Sequence, residues 1–163
     1  MKDRYNVLFL CTGNSARSII AEGILRHKGS PNFTAFSAGS HPSGVVRPEA
    51  LRQLEASHMP VGGLRSKSWE EFSGPSAPKM HFVITVCDNA ARETCPIWPG
   101  QPMTAHWGVA DPAAVLGTPK EIACAFRNAY VVLDRRISLF LALPIANLSR
   151  LALEAELKRI GEA

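Results

Sequence analysis

The chain has 163 residues, 46% hydrophobic and 20% charged, which suits one soluble domain with a full core and leaves no obvious linker to divide it, so residues 1–163 are read as a single domain. Its formal charge of +4 is mild and scattered. No basic run interleaved with aromatics suggests nucleic acid, and an anionic small molecule is the simpler partner. The run Leu139–Pro144 is too short to cross a bilayer, so no membrane partner is expected. The stretch Met1–Asn6 lacks the apolar core of a signal peptide, and a cytoplasmic location is expected.

In chain order, Val7–Leu10 is a continuous apolar run of the kind found in a central parallel strand. It is followed by Cys11-Thr12-Gly13-Asn14-Ser15-Ala16-Arg17-Ser18 and then by a helical apolar spacing over about Ala16–His27. A strand, a small-residue turn and a helix N-terminus aim backbone N–H groups at one point, where the helix dipole favours negative charge. Arg17 adds a planar fork matched to a tetrahedral oxyanion. The same field would make Cys11 a thiolate nucleophile. Asn14 suits a turn held by side-chain bonds, and Ser18 is either a donor to the Cys11 sulfur or a first-turn residue.

Further strands are expected at Phe33–Ser37, Phe82–Val86 and Met103–Trp107, and a helix at Pro48–Ala56. A longer helix starts at Thr118-Pro119-Lys120-Glu121, a capping box with a first-turn proline, and runs to about Leu143. Ser149–Ile160 reads as the last helix. Gly39–Arg47, Ser57–Lys79 and the stretch from Cys87 to Pro102 are irregular. The alternation predicts a small doubly wound α/β fold with ligands at the C-terminal edge of a parallel sheet.

Four cysteines in a reducing compartment point to catalysis or metal binding rather than structural disulfides. Cys87 follows the third strand at the same edge as Cys11, and Cys95 comes eight residues later. One thiol beside an anion cradle suggests phosphate-ester hydrolysis, whereas three at one edge suggest successive thiol–disulfide exchange. A zinc set of Cys87, Cys95 and His106 has no standard spacing, and no metal is expected. Cys124, inside a periodic helix, reads as a small core residue. Asp111-Pro112, after the fourth strand, offers either a general acid or a turn initiator. Trp69, Trp98 and Trp107 read as packing residues, and His27, His41, His58 and His81 as surface ones.

Cys11–Ser18, Thr85-Val86-Cys87-Asp88, Cys95-Pro96-Ile97-Trp98-Pro99-Gly100 and His106-Trp107-Gly108 through Asp111-Pro112 recur in one order. Together they resemble the arsenate reductases built on the low-molecular-weight protein tyrosine phosphatase fold. That resemblance implies a four-stranded parallel sheet flanked by helices, and a mechanism. Cys11 would attack arsenate held by the backbone of Thr12 to Ser18 and by Arg17, with Asp111 assisting loss of water. Cys87 would then attack Cys11, releasing arsenite, and Cys95 would take the disulfide over. Thioredoxin, or glutathione with glutaredoxin, would reduce it, with no bound cofactor and with the protein as a monomer. A phosphotyrosine phosphatase using Cys11, Arg17 and Asp111 is the alternative activity, although Ala113 stands where such enzymes place an aromatic. Some members bind potassium near the loop; Asn14, Glu22 and Ser37 match that set, but Lys67 stands at its aspartate position.

Overall fold

Four strands align in parallel in the order β2-β1-β3-β4 in the computed structural model, which describes residues 4–93, 96 and 98–163. They are β1 (Tyr5–Leu10), β2 (Phe33–Ala38), β3 (Phe82–Thr85) and β4 (Met103–His106). The helices are α1 (Arg17–Lys28), α2 (Pro48–Ala56), α3 (Asp88–Arg92), α4 (Pro119–Leu141) and α5 (Arg150–Gly161). Successive residues of β1 point to opposite faces, so one run of apolar residues serves two cores. Val7 and Phe9 join the larger cluster, with Ile20, Ile24, Leu54, Trp107, Leu133, Phe140 and Leu157. Leu8 and Leu10 join a smaller one, with Phe72, Met80, Val83 and Trp98.

The expected strands and four expected helices form close to their predicted limits, and α3 is an added turn inside the Cys87–Pro102 stretch. α1 is buried at every position from Ser18 to Leu25, between the sheet, α2 and α4. The capping box at the start of α4 forms: Glu121 N–H donates to Thr118 Oγ1 (3.2 Å) and Thr118 N–H to Glu121 Oε1 (3.1 Å). Cys124, in contrast, is exposed. The buried stripe of α4 begins at Phe126 and continues through Ala129, Leu133 and Ile137. At roughly 100° per residue, Cys124 lies about 200° round the helix from Phe126, on the outer face. Trp107 is fully buried, its indole N–H donating to the Leu157 carbonyl (3.0 Å), and Trp69 packs edge-on against Trp98. His27, His41 and His58 are exposed, while His81 is half-buried and its Nδ1 accepts the Asn6 N–H (2.8 Å).

The sheet order places the functional edge. The chain passes from β1 through α1 to β2 on one side, then returns so that β3 pairs on the other side of β1. The crevice between the ends of β1 and β3 is therefore the point where the winding reverses, the usual ligand position in such sheets. Leu10 is in register with Thr85, which puts Cys11 and Cys87 beyond neighbouring strand ends.

Candidate active site

The loop from Cys11 to Ala16 is held from outside by its carbonyls. His41, Ser43 and Arg47 donate their N–H groups to the carbonyls of Thr12, Gly13 and Ser15 at 3.0, 3.0 and 2.9 Å. The Ser66 hydroxyl also donates to the Gly13 carbonyl (3.3 Å). With the Thr12, Gly13 and Ser15 carbonyls occupied and the Thr12 N–H turned to Cys87 Sγ (3.4 Å), the loop N–H groups after Thr12 are the ones left for an anion. Gly39 makes this approach possible, since a Cβ there would lie 2.4 Å from the Thr12 carbonyl oxygen and 2.6 Å from that of Cys11. Its position directly after β2, at the same sheet edge, is the signal by which the sequence could have revealed it.

Asn14 has a left-handed backbone (φ 45°) and is fully buried. Its Nδ2 donates to Ser18 Oγ (2.8 Å) and Ser37 Oγ (3.0 Å), and its Oδ1 accepts the Lys67 N–H (2.9 Å). Ser18 thus serves the loop through Asn14. Beneath it, Ser37 Oγ donates to Glu22 Oε1 (2.5 Å), and the Lys67 ammonium lies 3.6 Å from the same carboxylate oxygen. Lys67 Nζ also donates to the Arg65 carbonyl (2.8 Å) and reaches Ser37 Oγ (3.4 Å). Asn14, Glu22, Ser37 and Lys67 therefore do meet. A potassium ion does not fit among them, because the ammonium already supplies the positive charge facing Glu22.

Cys11 and Cys87 are both buried, in the same core cluster, and each shifts the other's proton affinity. Cys87 caps α3: its sulfur accepts the N–H of Ala90 (3.4 Å) and that of Thr12 (3.4 Å), with Thr12 Oγ1 at 3.7 Å. The Cys11 side chain first, and then the Ala90 and Thr12 N–H donors, bring the Cys87 thiol down to about 5, against burial. Cys11 moves the opposite way, raised chiefly by the Cys87 side chain and by burial, against the pull of Arg17. The two thiols therefore titrate as a pair, with the shift downward at Cys87 and upward at Cys11.

Arg17 reaches across the site, donating from Nη1 to the Val109 carbonyl (2.9 Å) and placing Nη2 3.4 Å from Asp111 Oδ2. Asp111 Oδ1 accepts the Ala113 N–H (3.0 Å) and so caps the short 3-10 turn Pro112–Ala114. The aspartate is both the turn initiator and a group facing the loop arginine. Cys95 lies outside the described residues. His106 has both ring nitrogens engaged, Nδ1 with Thr85 Oγ1 (2.8 Å) and Nε2 with Asp88 Oδ1 (2.9 Å), which argues against the zinc set. Among the described residues, no three His, Cys, Asp or Glu side chains gather into a metal site.

Sequence reasoning did not single out Glu93, Ser40 or the Asp88–His106 pair. Glu93 Oε1 accepts the Thr12 hydroxyl (3.2 Å) and Oε2 that of Ser40 (2.6 Å), with His41 Nδ1 at 3.4 Å from Oε2. Nothing in the local sequence links residues 53 or more positions apart, so this contact emerges only from the fold.

Comparison with known proteins agrees with this architecture. The chain is 32% identical over 134 residues to an arsenate reductase of Halalkalibacterium halodurans, covering 82% of this chain and 93% of that one. It is equally similar to an arsenate reductase of Shouchella clausii, at 32% identity and the same coverage. A solved structure described as an arsenate reductase in the phosphate binding state superposes with a TM-score of 0.69 at 25% identity, over 85% of this chain and 97% of that one. The family model for low molecular weight phosphotyrosine protein phosphatase matches residues 6–153. A parallel sheet in the order 2-1-3-4, a cysteine at the end of its first strand and an arginine at the head of the next helix are thus this chain's share of a common inheritance: it belongs to the low molecular weight phosphotyrosine protein phosphatase family.

Proposed function

We propose that this chain is an arsenate reductase that works through a thiol relay, within one domain spanning residues 1–163. The observation that carries the reading is the Cys11–Cys87 thiol pair, two buried thiols beyond neighbouring strand ends in one core cluster, with the Thr12 N–H of the oxyanion loop donating to Cys87 Sγ. A hydrolase needs one nucleophile there. A second buried thiol with a lowered pKa is what a reductive step needs. The relatives named arsenate reductase support the choice of oxyanion.

Arsenate binds the N–H groups of residues 13–18 and Arg17 through its oxygens, while the Thr12 N–H stays on Cys87 Sγ. Cys11 Sγ attacks arsenic, its proton goes to the departing oxygen with Asp111 as the assisting acid, and water leaves. Cys87, as the thiolate that its lowered pKa favours, then attacks Cys11 Sγ. A disulfide forms, the Cys11–As bond breaks, and its electron pair stays on arsenic, which becomes arsenite. Cys95 takes over Cys87 as its partner, and an external dithiol or thiol, thioredoxin or glutathione with glutaredoxin, reduces the Cys87–Cys95 bond. The cycle uses no bound cofactor and suits a monomer in the cytoplasm. No described helix is long and apolar enough to cross a membrane.

Arg17 facing Asp111 supports a second activity, slow hydrolysis of phosphate esters through Cys11 alone, because phosphate shares arsenate's shape and charge. Substitution separates the two activities. Cys11→Ser abolishes both arsenite formation and phosphate-ester hydrolysis. Cys87→Ser stops arsenate turnover and spares hydrolysis. Sustained multiple-turnover arsenate reduction by Cys87→Ser would refute the relay.

A further inference from the structure

The relay asks contradictory things of the segment after β3. Cys87 must first be held against Cys11, and must then leave it for Cys95. The intervening helix, α3, has only five residues and cannot support itself, since an isolated helical turn is far below the length that is stable in water. Something outside α3 holds it in place.

Two side-chain clasps do so. At its start, Asp88 Oδ1 meets His106 Nε2 (2.9 Å), but that aspartate side chain is 73% exposed. At its end, Glu93 is 24% exposed and binds the Thr12 and Ser40 hydroxyls, one with each oxygen. The second clasp bears directly on the thiols. Thr12 is the residue whose N–H donates to Cys87 Sγ, so Glu93, Thr12 and Cys87 form one chain of contacts. Thr12 has a single hydroxyl proton, which it gives to Glu93, leaving only oxygen lone pairs for the Cys87 side. Glu93 also lies between Cys87 and Cys95 in sequence, two residues before the latter. Glu93 thus fastens the far end of the helix that Cys87 caps to the residue that follows Cys11.

We propose that Glu93 is a positioning residue that times the relay, fastening the end of α3 to Thr12 and Ser40 while Cys87 engages Cys11 and releasing it for the exchange with Cys95. The proposal rests on the relay reading above. In the exchange, the Cys95 thiolate attacks Cys87 Sγ, the Cys11–Cys87 bond breaks, and Cys11 departs as a thiolate. One disulfide is lost and one is formed, so no further oxidant is needed. The clasp opposes this step and favours the one before it.

The test uses the full chain, reduced and then oxidised with diamide, with acid quenching and mass spectrometry to follow the Cys11–Cys87 and Cys87–Cys95 disulfides. Amide hydrogen exchange of the reduced protein is measured beside it. Glu93→Ala is expected to speed exchange in α3 by about tenfold, as loss of hydrogen bonds to a charged group implies. It is expected to slow formation of Cys11–Cys87 and to speed its conversion to Cys87–Cys95. Glu93→Gln keeps two neutral hydrogen bonds, with Ser40 turned from donor to acceptor, and should fall between Glu93→Ala and the wild type. Opposite effects on the two steps are the mark of timing. Unchanged hydrogen exchange in α3 would overturn the clasp, and shifts of both disulfide steps in one direction would reduce Glu93 to a stabilising contact. Diamide replaces arsenate here, so a wild type that forms both disulfides but yields no arsenite would fail the proposed function and leave the clasp standing.

Discussion

At the scale of single residues, the central feature is the opposite pull on the proton affinities of two thiols. Cys87 is brought to about 5 by the Cys11 side chain and by donors from Ala90 and Thr12, from an ordinary value of 9.0. The stability that this thiolate confers is complete above the ordinary thiol pKa and declines as pH falls, until none remains below about pH 5. Thiolate absorbance in the ultraviolet should accordingly persist below the ordinary thiol value of 9.0, down to about pH 5, in the wild type. A wild-type titration near 9 instead would mean that the sulfur is not held by those donors. Asp111→Asn should lower the rate of arsenate reduction by about 10²- to 10⁴-fold if the carboxyl serves as the acid, with arsenate binding largely kept. Equal rates would leave Asp111 as the cap of its turn and the partner of Arg17 alone. Cys124→Ser, on the exposed face of α4, should leave both catalysis and stability essentially unchanged.

Among the elements, the anion loop is a shared construction of β1, α1, β2 and the segment around Lys67. The sequence motif from Cys11 to Ser18 made the loop itself legible, because small residues between a strand and a helix have few other uses. Its outer scaffold was not legible. Gly39 and the N–H groups of residues 41, 43 and 47 act through the backbone, which leaves little trace in side-chain pattern. Likewise α3 has too few residues to show a period, and the exposure of Cys124 is not legible because apolar spacing marks a helix more surely than it marks which face is buried. Lys67→Met would leave the buried Glu22 carboxylate without its ammonium, keeping Ser37 and Arg26 as partners. A loss on the order of 3 kcal/mol in denaturant unfolding is expected from breaking a buried pair. The same ion pair predicts that potassium, added at constant ionic strength, leaves wild-type activity unchanged, and stimulation would count against the ammonium as the internal cation.

For the whole molecule, fold and chemistry are joined by one topological fact: the winding reverses between β1 and β3, so the residues after those strands share a crevice. The alternation of apolar runs and helical periods was enough to read the parallel sheet, and the sheet's edge was enough to bring Cys11, Cys87 and Asp111 to one side. What the sequence could not supply is the opposite pull on the two thiols, since that depends on donors from Thr12 and from α3 that meet only after folding. The measurement that bears most directly on the account is arsenite formation from arsenate with thioredoxin, thioredoxin reductase and NADPH, run in parallel with glutathione and glutaredoxin. Wild type, Cys87→Ser and Cys95→Ser would be compared in both systems. The account predicts turnover by the wild type in at least one system, abolished in Cys87→Ser. No turnover in either system, beside brisk hydrolysis of a phosphotyrosine substrate, would contradict it and make Cys11 the nucleophile of a phosphatase.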